Sequence, residues 1–450
     1  MIMDLNLIRN KRGAVILKFA IPSIIAMVLT SLVNIVDGYF VGNYIGKEGL
    51  AAVNLGLPIV YFYLAVGLML AVGGIAIAGR LLGAKDIVKA NQVFRQTMML
   101  CLLVTLAVSV ILSFVLTPMA SSLIADTQTR SAFCEYYSIL VFELPLMVMI
   151  SASGMFIRGE GNPAFIMLMN GLTVLLNIIL DALFVGPAGL GIRGIAWASL
   201  LSAGIVFVIS LAYFRFKAKV FKLGKFHFEK DVIREMILNG SSEFIGELSM
   251  CISMTAYNYV VMKCAGVNGI AAFTIVGYVS YIFSMIIIGF GQGMVPVISF
   301  TFGAKEFTLS RKLRNTTMRY VVIAAVAVFA AMFVLAGWFS GLFTKNEDVL
   351  SMVIPGLRLQ MASFAFAGIN TIASFYFTAV ARAKESAVIS AMRGLVILLI
   401  CIFALTAAFG MTGVWLVSLV TETVTLLFSI RFIMTEQYQG IEERKERVSA

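Results

Sequence analysis

Apolar runs of about twenty residues or more recur along the whole chain, and a run of that length crosses a hydrocarbon layer of roughly 30 Å as a helix. Backbone inside that layer must satisfy its own hydrogen bonds, which leaves only helices and closed barrels. These runs are continuously apolar rather than alternating, so a barrel is excluded. They cover 15–42, 50–78, 96–118, 133–157, 164–186, 191–214, 236–263, 268–298, 317–341, 352–380, 387–409 and 411–433. The expectation is an all-α integral membrane protein with twelve transmembrane helices. Composition agrees: 60% of residues are hydrophobic and 13% charged, against roughly a quarter charged in soluble domains.

The formal charge of +11 could point to nucleic acid, but the basic residues gather in alternate loops instead of on a folded basic domain. Only Lys47, Arg130, Arg193, Lys263, Lys345 and Arg358 of the 34 Lys and Arg residues fall on the other side. That bias predicts a multi-pass protein of the inner (plasma) membrane with both termini and the loop 215–235 in the cytoplasm. The first run is too long for a signal-peptide core. Five scattered cysteines lack metal-ligand spacing, and the only histidine, His227, lies in the basic loop "KLGKFHFEK". Neither a metal enzyme nor a nucleophile–base pair is legible, and no G-x-x-x-x-G-K-[ST] phosphate loop occurs, so cofactor chemistry and ATP-driven transport are not expected.

The chain repeats itself. "GLAAVNL" at 49 aligns with "GIAAFTI" at 269, and "GGIAIAGRLLGAK" at 73 with "GMVPVISFTFGAK" at 293, without a gap at an offset of 220. Six helices have been duplicated, and because six is even both copies enter from the same side. Two six-helix lobes related by a pseudo-two-fold axis along the membrane normal should therefore enclose a cavity, the architecture of alternating access. The boundaries read as an N-lobe over 1–214, a cytoplasmic linker over 215–235, and a C-lobe with a short cytoplasmic tail over 236–450.

Charged residues inside the runs are costly in lipid and so mark function or pairing. Asp37, in "SLVNIVDGYFVG", and Asp181 fall at similar depth in the outer half of the bilayer. Asn177 and Asp181 share a helix face one turn apart, so the amide can donate to the carboxylate. Two acids brought together there suit reversible protonation, and a sodium ion could bridge the same oxygens. In the second half Glu247 and Glu422 read as midplane acids with no basic residue at their level, facing a substrate cavity. Glu243, one turn nearer the cytoplasm, is expected to pair with Arg393 or else to join that cavity. Glu143 reads as shallower and on the outer side. The glycines of "GFGQGMVP", Gly291 and Gly293 among them, with Pro296, allow close helix approach and a gating bend.

These residues carry a resemblance. "VDGYFVGNYIGKEGLAAVNLG", "NIILDALFV", "GLGIRGIAWAS", "NGSSEFIGELS" and "IIGFGQGMVPVISFTFGAK" together resemble the multidrug and toxic compound extrusion (MATE) transporters, nearest the MepA-like branch, over nearly the whole chain. The resemblance implies the MATE fold and a monomeric secondary exporter of amphipathic organic cations, exchanged for H⁺ or Na⁺. It further implies that Asp37, Asn177 and Asp181 form the N-lobe ion or proton site. The fifth-helix pattern departs at Ala182, where many relatives carry proline. A flippase for lipid-linked oligosaccharide, of the same superfamily, is the alternative reading; it would want cationic side chains facing the cavity to hold phosphate.

Overall fold

A computed structural model describes residues 3–436, the side chain of Asn34 excepted; the end of the tail expected within 236–450 lies outside the described residues. After a short helix, Leu5–Asn10, the first six spanning helices are Arg12–Ile45, Lys47–Gly83, Ile87–Leu123, Thr127–Gly159, Pro163–Val185 and Gly191–Lys217. A continuous helical stretch, Lys230–Gly303, is broken at Gly266 into the seventh and eighth. The ninth is Phe307–Gly341, and the tenth is Glu347–Ala362 with Phe364–Ala379, bent by 41°. A second stretch, continuing from Ala383 through Met434, is broken at Gly410 into the eleventh and twelfth. The result is the expected all-α bundle of two six-helix lobes, with no strand among the described residues.

The helices run past the apolar runs at their polar ends, which changes depths. The fourth begins at Thr127 rather than 133, the seventh at Lys230 rather than 236, and the eleventh at Ala383 rather than 387. Asp126 caps the fourth by accepting the Thr129 N–H at 2.7 Å, and Asn346 caps the tenth in the same way. Their numbers differ by 220.

The duplication is visible in the backbone itself. Positive φ angles recur at Gly46 and Gly266, at Lys85 and Lys305, and at Gly161 and Ala381, each pair separated by 220 residues. At the first pair the chain reverses between helices at φ of 95° and 57°, a region glycine enters without steric cost. Lysine and alanine hold the same region at the other turns because both lobes retain one loop geometry there.

The lobes close against each other at the end that carries the N-terminal arm, called the inner end below. A Cβ on Gly303 would collide with the Arg80 carbonyl oxygen, and one on Gly83 with that of Phe300. These two contacts are mates under the 220 offset, so the pseudo-two-fold axis passes between the second and eighth helices. Flanking them, Gly73 and Gly240 meet the Met236 and Met69 carbonyls, while Gly289 meets Ile24. Close backbone approach of this kind is how helices gain dispersion contacts in a membrane, where lipid tails compete for every larger apolar surface. Arg80 bridges to Glu235, and Arg9 to Glu306 at 2.7 Å, adding polar contacts across the same seam. Gly303→Val should destabilise this closed state by roughly 1–3 kcal/mol, because backbone cannot move aside as a side chain can. A Gly303→Val protein that melts with the parent in detergent would contradict the seam.

Between the lobes the segment from Ala218 to Glu229 is extended and pinned to the first lobe. Glu160 accepts the Val220 and Phe221 N–H groups at 2.9 and 2.7 Å, and Asn91 donates to the Val220 carbonyl. Arg95 holds the Lys222 carbonyl at 2.8 Å.

Candidate functional site

In the first lobe the fold brings Asp37 of the first helix, Asn177 and Asp181 of the fifth and Ser199 of the sixth into one buried group. Ser199 Oγ donates to Asp37 Oδ2 at 3.3 Å, and Asn177 Nδ2 donates to Ser199 Oγ at 3.3 Å. The amide thus serves the hydroxyl, not the Asp181 carboxylate expected from their one-turn spacing. Asn177 and Asp181 are fully buried. Four oxygens receive no donor from the protein, Asp37 Oδ1, Asn177 Oδ1 and both of Asp181, and the two carboxyl groups face each other so closely that a proton on either would bond the other. Unsatisfied buried acceptors cost about 1–3 kcal/mol each, so such a group exists for what it binds, and all four atoms call for a proton or a hard cation. Among the described residues no group of three or more His, Cys, Asp or Glu side chains converges as a metal site. Ser199 was missed in the sequence, although it closes the quoted motif "GLGIRGIAWAS".

The second lobe arranges its charges differently from expectation. Arg393 does not pair with Glu243. Its Nη2 and Nε donate to Glu422 Oε1 at 2.7 and 3.1 Å, and its Nη1 to Thr371 Oγ1 at 2.8 Å. Asn370 Nδ2 donates to Glu422 Oε2 at 2.8 Å, while Ser429 donates to Asn370 Oδ1 at 2.8 Å. Glu422 therefore has a basic residue at its level and is a satisfied member of a network joining helices ten, eleven and twelve. Depth leaves Arg393 within range of both acids, and the packing of the last three helices makes the choice. Because the eleventh helix starts at Ala383, Arg393 sits ten residues in, about 15 Å, rather than six. A widened π turn, Met392–Val396, carries it.

Glu243 and Glu247 form no ion pair among the described residues, although Glu243 stays within electrostatic reach of Arg393. Glu247 has an arrangement the sequence reading overlooked. Tyr61 of the second helix lies within electrostatic reach of Tyr281 of the eighth and of Glu247 of the seventh. Tyr61 and Tyr281 are 220 apart, so they are repeat mates that approach each other near the pseudo-axis. An acid with no ion-pair partner, within electrostatic reach of an aromatic side chain of the other lobe, is suited to an organic cation, which gains Coulomb attraction from the one and cation–π attraction from the other.

Gly291, Gly293 and Pro296 lie where the eighth helix is regular, and the only non-helical backbone inside its stretch is at Gly266. A Cβ on Gly293 would sit 2.9 Å from the Phe19 carbonyl oxygen of the other lobe, and one on Gly291 would strike Phe375. Gly293 and Pro296 thus pack the seam and Gly291 packs within the second lobe, without a bend.

A duplicated twelve-helix bundle with buried acids in each lobe and a closed inner seam defines a polytopic membrane transporter. The MatE family model matches residues 22–183 and again 244–403, one match in each lobe. The chain belongs to the MatE family, whose members are transporters. It is 26% identical over 413 residues to the multidrug export protein MepA of Staphylococcus haemolyticus, 90% of each chain being covered. To MepA of Staphylococcus saprophyticus it is 24% identical over 417 residues, covering 92% of each. Its fold is that of a multidrug resistance MATE transporter of the MOP superfamily solved in an outward-facing conformation, with a TM-score of 0.89, 23% identity, and 96% and 98% of the two chains covered.

Proposed function

We propose that the protein is a secondary multidrug exporter that moves amphipathic organic cations out of the cell in exchange for H⁺ or Na⁺ by alternating access. The observation that carries this reading is that Asp37 and Asp181 in the first lobe and Glu243 and Glu247 in the second lie inside the bundle with no ion-pair partner among the described residues. The coupling ion is assigned to Asp37, Asn177 and Asp181: either carboxylate can take a proton, and the Asn177 amide oxygen can join them in coordinating sodium. Glu243 joins Glu247 as a substrate-cavity acid, and Glu422 with Arg393 becomes the frame that holds the cavity wall. The lobes, 1–214 and 236–450, rock about the glycine seam while 215–235 stays on the cytoplasmic side with both termini; the working unit is the single chain. With Gly293 and Pro296 in the seam and Gly291 against Phe375 beside it, their gating role is to let the seam close and reopen.

The driving force is adequate, since one charge crossing 100 mV is worth about 2.3 kcal/mol. Arg393 also weighs against the flippase: the deep cation that could have held a lipid phosphate is committed to Glu422. The test is efflux from proteoliposomes of ethidium and of a matched anionic dye, with ΔpH and ΔNa⁺ imposed separately. Export of the cation alone is expected. Equal export of both dyes, or translocation of a phospholipid-linked sugar, would overturn the assignment. Within it, Glu247→Gln should weaken ethidium binding about tenfold with melting unchanged, since the acid has no ion-pair partner among the described residues. Unaltered affinity would remove Glu247 from the cavity.

A further inference from the structure

One buried acid has no place in the site described so far. Glu143 is at the centre of the 33-residue fourth helix, sixteen residues from each end, instead of near the outer side as the apolar run suggested. It is 9% exposed, and among the described residues it has no ion-pair or hydrogen-bond partner. What it does have is a line of acids toward the outside. Glu143 is within electrostatic reach of Asp37, and Tyr136, seven residues outward on the same helix face, is within reach of Asp37, Glu143, Asp181 and Tyr137.

Depth orders these groups. Asp37 is eight residues from the outer end of its helix and Glu143 sixteen, or about 12 and 24 Å along the axes. Asp37 and Asp181 thus lie in the outer half, and Glu143 lies deeper, near the bilayer centre. No basic side chain pairs with any of the three among the described residues.

The backbone beside Glu143 is held in an unusual way. Pro145 has no N–H for the Val141 carbonyl, so the helix ladder is interrupted within one turn of the acid. Ser109 Oγ of the third helix donates to that carbonyl at 2.5 Å, and Tyr63 of the second shares a hydrogen bond with Ser109 at 2.8 Å. Two neighbouring helices therefore hold the backbone one turn ahead of Pro145, beside Glu143. The device is private to the first lobe: 220 residues on, Glu143 becomes Ser363 and Tyr136 becomes Gly356.

We infer that Glu143 is the inner station of the N-lobe ion path, receiving the coupling cation from Asp37 and Asp181 and passing it to the inner side when the lobes reverse. This rests on the ion-coupling reading above. When the cation is a proton, the donor carboxyl returns to carboxylate as Glu143 becomes the neutral acid, with the Tyr136 hydroxyl or a water between them. When it is sodium, the ion moves between carboxylates and charge is likewise conserved.

The test uses the full-length protein in proteoliposomes, with ethidium as probe, comparing Glu143→Gln, Glu143→Asp and Asp181→Asn. In Glu143→Gln the turnover should fall about a hundredfold, the scale for deleting a proton-transfer group, with KM and equilibrium ethidium binding within about threefold of the parent. Glu143→Asp should recover much of the turnover and displace its pH profile. Runs with ΔpH alone and ΔNa⁺ alone tell which cation uses the station. Normal turnover in Glu143→Gln alongside an inactive Asp181→Asn overturns the station only, whereas normal turnover in Asp181→Asn overturns the coupling reading and the station with it. Loss of activity in step with loss of melting temperature, without rescue by aspartate, makes Glu143 a structural residue and also overturns the inference.

Discussion

Asp37→Asn and Asp181→Asn should each reduce gradient-driven ethidium export by about a hundredfold or more, and neither should lower the melting temperature. The two halves of that result have one origin. Asp37 Oδ1 and both Asp181 oxygens are buried with no donor from the protein, so the folded chain bears their desolvation with little return. An amide of the same shape is cheaper to bury than a carboxylate and brings its own donors, which Asp37 Oδ1 and Asn177 Oδ1 lack. Stability should hold or rise by about 1 kcal/mol as transport disappears, the opposite direction from an ordinary buried substitution. The measurement pairs thermal unfolding in detergent with vesicle efflux under ΔpH and under ΔNa⁺. Near-normal efflux by both variants sinks the coupling role; a sharp drop in melting temperature would instead make the aspartates structural.

Much of the architecture was legible because it depends on coarse physics. Lipid accepts only long apolar helices, and duplication leaves a numerical offset that can be read without coordinates. That offset is realised in paired turns at Gly46 and Gly266, in paired caps at Asp126 and Asn346, and in the Gly83 and Gly303 contacts that locate the axis. Applied to tyrosines, the same arithmetic yields two pairs, Tyr39 with Tyr259 and Tyr61 with Tyr281, and leaves the choice between them to the structure.

Other features were hidden for definable reasons. A serine in a membrane helix usually bonds its own backbone four residues back, as Ser210 does to Val206, so nothing marked Ser199 as a bridge to Asp37. Depth was misjudged because an apolar run ends where lipid ends, while the helix continues through polar turns. That error of four to six residues placed Glu143 too near the surface and Arg393 too near the inner end. Depth also says nothing about rotation around a helix axis. Glu243 and Glu422 were both within range of one arginine, and only packing of the tenth, eleventh and twelfth helices decides between them.

That decision yields the last expected result, which separates a structural charge from a functional one in the same lobe. Arg393 and Glu422 are 27% and 11% exposed as side chains, and removing either leaves the other charge largely dehydrated. Arg393→Met and Glu422→Gln should each destabilise the protein by on the order of 3 kcal/mol, with the Asn370 and Thr371 hydrogen bonds lost as well. The double variant Arg393→Met/Glu422→Gln should regain most of that loss, because no uncompensated charge is left, and the non-additivity is the signature of direct contact. Glu243→Gln provides the contrast. Having no ion-pair partner, Glu243 can lose its charge without cost to folding, so this variant should melt with the parent and bind ethidium more weakly. Additive effects in the Arg393–Glu422 cycle, with coupling appearing between Arg393 and Glu243, would return the arginine to the partner that depth alone first suggested and would free Glu422 for the substrate.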